Sequence, residues 1–225
     1  MLSIIRNLAY LTLFVGLLQA GPLAAPAWAV SDEEKVILAI QKKYEETVTF
    51  RAAFVQKSYV KMMNQTLEAK GEVEIKKPGR MKWVYNAPDP QVLVSDRKIL
   101  WLYLPEERQV TKMALEGIYS SNTPALFLAG RGKLTDSFDV MRVVRETGET
   151  TLVLAPKQED QTLEKLLLHT ENKNFQIVGS TVYDKLGNRT EMRFQNIQIN
   201  IDIPDSAFQF QIPADAELLD YTGNP

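Results

Sequence analysis

Between Leu67 and Lys76, Leu67, Ala69, Gly71, Val73 and Ile75 alternate strictly with the charged residues Glu68, Lys70, Glu72, Glu74 and Lys76. A period of two sends successive side chains to opposite faces of a strand, so this segment has one apolar face and one that must stay wet. Similar short segments follow at 81–85, 91–95, 99–104 and 109–113, and again at 138–145, 150–155, 163–170, 175–183, 189–196 and 208–212. Their connections are short and rich in turn formers, among them Lys77-Pro78-Gly79, Asp96-Arg97 and Pro105-Glu106-Glu107. Turns of that length join antiparallel neighbours, and about a dozen strands fit one domain.

Two helical patterns interrupt the strands. Ser31 with Glu34 three residues later makes a capping box, and Val36, Ile37, Ile40, Tyr44 and Val48 then recur at helical spacing. Further on, Asn122-Thr123-Pro124 starts the apolar run Ala125-Leu126-Phe127-Leu128-Ala129, which Gly130 stops. The charged face of the sheet cannot bury either helix, so both must cover the other face. A long antiparallel sheet curls as its twist accumulates. The expected fold is mainly β: a single-domain unclosed antiparallel β-barrel, with the N-terminal amphipathic helix and the short apolar helix as a lid on its concave face.

The first residues read as a targeting segment. Arg6 is followed by an uncharged apolar run from Leu8 to Leu18, then by a stretch rich in alanine and proline that ends in Ala27-Trp28-Ala29. That is the pattern of a secretory signal peptide over 1–29, leaving the half-barrel domain over 30–225 and an exported protein. An uncleaved anchor is the second reading, since no charge occurs between Arg6 and Asp32. With 26 Lys+Arg against 28 Asp+Glu the chain has no basic excess for nucleic acid, and without Cys it has no disulfide, thiolate metal site or lipid-accepting cysteine.

Several segments carry a family resemblance. These are 50–57 (Phe50-Arg51-Ala52-Ala53-Phe54-Val55-Gln56-Lys57), 71–83 with its Lys77-Pro78-Gly79-Arg80-Met81-Lys82-Trp83, and Val94-Ser95-Asp96 running into Leu100-Trp101-Leu102-Tyr103. They continue with Gln109-Val110-Thr111, Asn122-Thr123-Pro124, 152–157, and the stretch from Phe208 to Pro213. In this order and spacing the chain resembles the outer-membrane lipoprotein carrier family, LolA, over nearly all of 30–225. The resemblance implies a periplasmic half-barrel lidded by helices that binds triacylated lipoproteins. It also implies an inner-membrane ABC-type release complex as donor and a receptor anchored in the outer membrane as acceptor. Two positions depart from the family pattern. Asp96-Arg97 replaces a common Asp-Gly, which implies a turn without positive φ, and Lys77 replaces a common Arg, keeping the charge but losing the planar donor fork.

The residues themselves suit a lipid carrier. An acyl chain of sixteen carbons is worth roughly 12 kcal/mol at about 0.8 kcal/mol per CH₂, so it needs a dry groove. The inward candidates are Leu67, Ala69, Val73, Ile75, Met81, Trp83, Tyr85, Trp101 and Tyr103, with Leu126, Phe127 and Leu128 as cover. Ala69 and Gly71 make room. Taken singly each reads as ordinary core, and only the set argues for a pocket. Lys77 and Arg80 beside the Pro78-Gly79 turn are candidates for partner or headgroup contact, or simply a solvated basic turn.

Enzyme chemistry has little to stand on. His169 is the only histidine, no nucleophile elbow or phosphate loop accompanies it, and no acid/base pair or metal site stands out. A cofactor-free monomeric carrier is the reading. A half-barrel sensor that binds lipoproteins to signal, or a carrier of other lipids or glycolipids, is the alternative.

Overall fold

The computed structural model describes residues 31–115 and 134–223. The expected lid helix with Leu126, Phe127 and Leu128, and the 1–29 signal segment, lie outside the described residues. Helix α1 (Asp32–Glu46) begins where the pattern places it: the Ser31 hydroxyl accepts from the Glu34 N–H at 3.1 Å, and Asp32, Glu33 and Glu34 fill its positive end. Its buried residues, Ile40, Gln41 and Tyr44, form one stripe.

Twelve strands follow: β1 (Thr49–Val60), β2 (Gln65–Lys76), β3 (Arg80–Ala87), β4 (Gln91–Asp96), β5 (Ile99–Leu104) and β6 (Gln109–Ala114), then, after a short helix α2 (Leu134–Ser137), β7 (Phe138–Arg145), β8 (Glu149–Pro156), β9 (Leu163–Glu171), β10 (Ile177–Asp184), β11 (Arg189–Ile199) and β12 (Glu217–Tyr221). They make one sheet in the order β12-β6-β5-β4-β3-β2-β1-β11-β10-β9-β8-β7. Two antiparallel meanders thus meet at β1 and β11, and among the described residues β7 and β12 are left as edges. The barrel is unclosed.

One face of this curled sheet carries the main core. Phe50, Ala52 and Phe54 of β1, Val73 and Ile75 of β2, and Met81 and Trp83 of β3 join the apolar positions of β8, β9 and β11 and, from α1, Ile40 and Tyr44 in a single cluster. The other face of β2 is the wet one, with Arg51 bridging to Glu74 at 2.7 Å.

The C-terminal stretch departs from expectation. Residues 208–212 are not a strand: Asp205–Phe208 is a 3-10 turn, and the last strand is β12, parallel to β6. The alternation of Phe208 and Phe210 marks a strap crossing the outer face of β3 and β4 instead. There Val94, Val110, Ile203 and Phe208 are buried, yet none of them belongs to the inner cluster. The strap is pinned by Asp205, which pairs with Lys76 and Arg80, both at 2.7 Å, and by the Ile203 carbonyl, which accepts from Lys76 at 2.8 Å.

The Asp96-Arg97 turn also differs from expectation. Arg97 adopts φ +98°, so the turn does need positive φ although no glycine is present. Side chains hold it there: Asp96 Oδ1 accepts from the Lys98 and Ile99 N–H groups at 2.9 Å, and Ser95 Oγ accepts from Arg97 N–H at 3.3 Å.

Candidate functional site

Register decides which expected site residues share a surface, because directly opposed residues on neighbouring strands point to the same side. Val73 opposes Ala52 and Trp83, and Ile75 opposes Phe50 and Met81, so these residues form an apolar wall inside the curl. Ala69 and Leu67 continue the same row toward the free end of β2, opposite Gln56 and Ser58. Burial is graded along the row. Val73 and Ile75 are sealed, Ala69 is half-buried, and Leu67 is 48% exposed.

Trp101 and Tyr103 are not part of that wall. Trp101 opposes Val94, which opposes Lys82, and Tyr103 opposes Val92, which opposes Val84. Both therefore lie on the outer face, where they pack against Phe210 of the strap at ring distances of 6.2 and 6.0 Å.

Sequence reasoning passed over the aromatic lattice within this wall. Phe54 meets Trp83 edge-on at 5.3 Å and Tyr85 at 4.9 Å, while Phe194 of β11 meets Phe50 at 5.2 Å. The alternation Phe50, Ala52, Phe54 was the available signal. The space at Gly71 is filled by Phe54: a Cβ there would lie 2.8 Å from its ring and 2.0 Å from the Val84 carbonyl oxygen. Trp83 Nε1 is buried without a hydrogen-bond partner among the described residues. Toward the β1–β2 tip Tyr85 Oη donates to Gln56 Oε1 at 3.0 Å, and Gln56 Nε2 donates to Ser58 Oγ at 3.1 Å. Burial pushes the Tyr85 hydroxyl above its ordinary pKa. A short polar ladder thus borders an otherwise apolar interior.

The two expected contact cations are tied down. Lys77 Nζ donates to the Tyr44 carbonyl at the end of α1 and sits 3.4 Å over the Tyr44 ring. Burial lowers its pKa to about 8, against the opposing pull of Glu45. Arg80 is mostly buried against Asp205. His169 lies on the outer face, opposite Gly179, with Thr151 Oγ1 at 3.0 Å, Thr181 Oγ1 at 2.9 Å and Glu149 Oε1 at 2.9 Å. Burial, helped by Arg193, lowers its pKa. Among the described residues no cluster of His, Asp and Glu is arranged to hold a metal ion, and no helix is long and apolar enough to cross a membrane.

The sequence that builds this open curled sheet matches a known family. A family model described as outer membrane lipoprotein carrier protein LolA covers residues 45–211. The chain belongs to the LolA family. Among LolA relatives, a protein of Chromohalobacter salexigens named outer-membrane lipoprotein carrier protein is 33% identical over 208 residues, 92% of this chain and 95% of its own. One of the same name from Methylobacillus flagellatus is 31% identical over 176 residues, covering 78% and 84%. An uncharacterized conserved protein from Thermus thermophilus, known from its crystal structure, shares this chain's fold at a TM-score of 0.51 with 11% identity, over 84% of this chain and 99% of its own.

Proposed function

We propose that this protein carries lipoproteins across the periplasm by sheltering their acyl chains inside the unclosed barrel. The observation that carries the reading is the row on β2, which grades from exposed Leu67 through Ala69 to sealed Val73 and Ile75. Such a row offers an acyl chain apolar surface that leads from solvent inward, and about 0.8 kcal/mol per CH₂ favours following it. Met81, Trp83 and Tyr85 complete the wall in this proposal, with Leu126, Phe127 and Leu128 as cover. Trp101 and Tyr103 are left out because they serve the strap.

The relatives' names support lipoprotein as cargo. An inner-membrane ABC-type release complex would load the carrier and an outer-membrane receptor would unload it. Residues 1–29 are proposed as the export signal and 30–225 as the carrier domain, working without covalent chemistry or cofactor.

The test is release. The purified protein is incubated with energised spheroplasts, and the soluble fraction is assayed for a triacylated lipoprotein and for the same protein lacking acyl groups. Soluble one-to-one complex with the acylated form alone is expected. Extraction of phospholipid in its place would make the cargo a free lipid, and no release of either would end the carrier reading.

A further inference from the structure

We propose that the β1–β2 tip and the β10–β11 turn together form a docking rim for an anionic phospholipid surface. The two loops are joined: Lys61 N–H donates to Asn188 Oδ1 at 3.0 Å, and a Cβ on Gly187 would lie 2.6 Å from Lys61 Cδ. From these adjoining tips Met62, Met63 and Leu186 project into solvent, at 93%, 57% and 79% exposure. Isolated exposed apolar residues are ordinary, but three long, flexible ones on adjoining tips form a patch.

The hairpin also stands proud of its neighbour. β3 pairs with β2 only from Lys70 onward, so the Gln65 to Ala69 stretch is held by β1 alone. The rim is at the far end of β1 from α1, and Leu67 begins there the apolar row that runs down β2 to Val73.

Charge selects the occupant. Lys61, Lys185 and Arg189 flank the apolar tips, and none of them forms an ion pair among the described residues. Of the nearby acids, Glu68 pairs with Lys70 at 3.0 Å, and Asp184, which accepts from Asn188 at 2.8 and 2.7 Å, is one carboxylate against the three cations. Apolar tips ringed by free cations with long aliphatic stems suit a lipid headgroup layer, where the tips enter the acyl boundary and the cations stay with phosphates. The value of such a contact rests on the carrier reading, since it would bring the open end of the row to the membrane; the binding itself does not.

The experiment is flotation of the protein, purified from cells expressing the whole chain, with phosphatidylethanolamine vesicles with and without phosphatidylglycerol. Wild type is expected to float with the anionic vesicles and to be released by salt. Met62→Asp combined with Leu186→Asp should weaken this by about tenfold or more, and replacing Lys61, Lys185 and Arg189 by Gln should remove the dependence on phosphatidylglycerol. Both variants alter exposed side chains and should still bind a soluble triacylated lipopeptide. Absence of vesicle binding by wild type, or unchanged binding by the aspartate variant, would overturn the rim. Loss of lipopeptide binding in the aspartate variant would make the tips part of the acyl site and also overturn it. Vesicle binding without lipopeptide binding in wild type would leave the rim standing and remove the carrier.

Discussion

Gly71 shows how tightly the inner wall is built. Its missing side chain gives the Phe54 ring a place to lie and lets β3 come close. Gly71→Ala drives a methyl into a backbone carbonyl, and a loss of more than about 3 kcal/mol in urea unfolding is expected. A milder loss would mean that β2 and β3 can part locally. Lys77 yields a pH prediction. Its folded pKa of about 8 is below the ordinary lysine value, so between about pH 8 and the unfolded value near 10.4 the unfolded chain binds more protons there. The contribution of this site to stability therefore rises with pH across that window and is least favourable at neutral pH. Lys77→Met should flatten that rise in thermal unfolding between pH 7 and 10, and an unchanged profile would show that the Lys77 ammonium remains fully solvated.

Among the elements, the strap over β3 and β4 is the one that sequence alone misplaced. Asp205 holds it through Lys76 and Arg80, and the hydrogen bond from Lys76 in particular keeps its carboxyl below the usual carboxylate range. Asp205→Ala should speed amide exchange across 201–212 and expose Trp101 to a fluorescence quencher while leaving β8–β10 protected. Unchanged exchange across 201–212 would mean that Phe208 and Phe210 suffice without the ion pairs. The misplacement has a physical cause. Phe208 and Phe210 alternate as a strand would, but their partners are side chains on the outer face rather than a neighbouring backbone. Run 99–104 hid its phase for a related reason. All six residues of Ile99–Leu104 are apolar because both faces of β5 are covered, so no alternation told inward from outward. In β2 the charges made the phase plain, and Val73 and Ile75 were placed correctly from sequence. Positive φ at Arg97 was hidden because Asp96 and Ser95 stand in for a glycine's freedom.

For the whole molecule, the unclosed sheet was legible from strand number, short turns and one wet face. Its long-range join was not, because nothing local announces that β1 lies between β2 and β11. That join has a kinetic meaning. Val48 N–H donates to Asn200 Oδ1 across 152 residues of sequence, and the two meanders touch along the full length of β1. The β7–β11 meander can assemble from near neighbours, while β1 must wait for the chain's last third before its second edge is paired. A chain delivered N-terminus first therefore leaves one edge of its central strand open until late. Until then the strand presents a row of unpaired backbone groups to any stray strand, and the finished fold hides it.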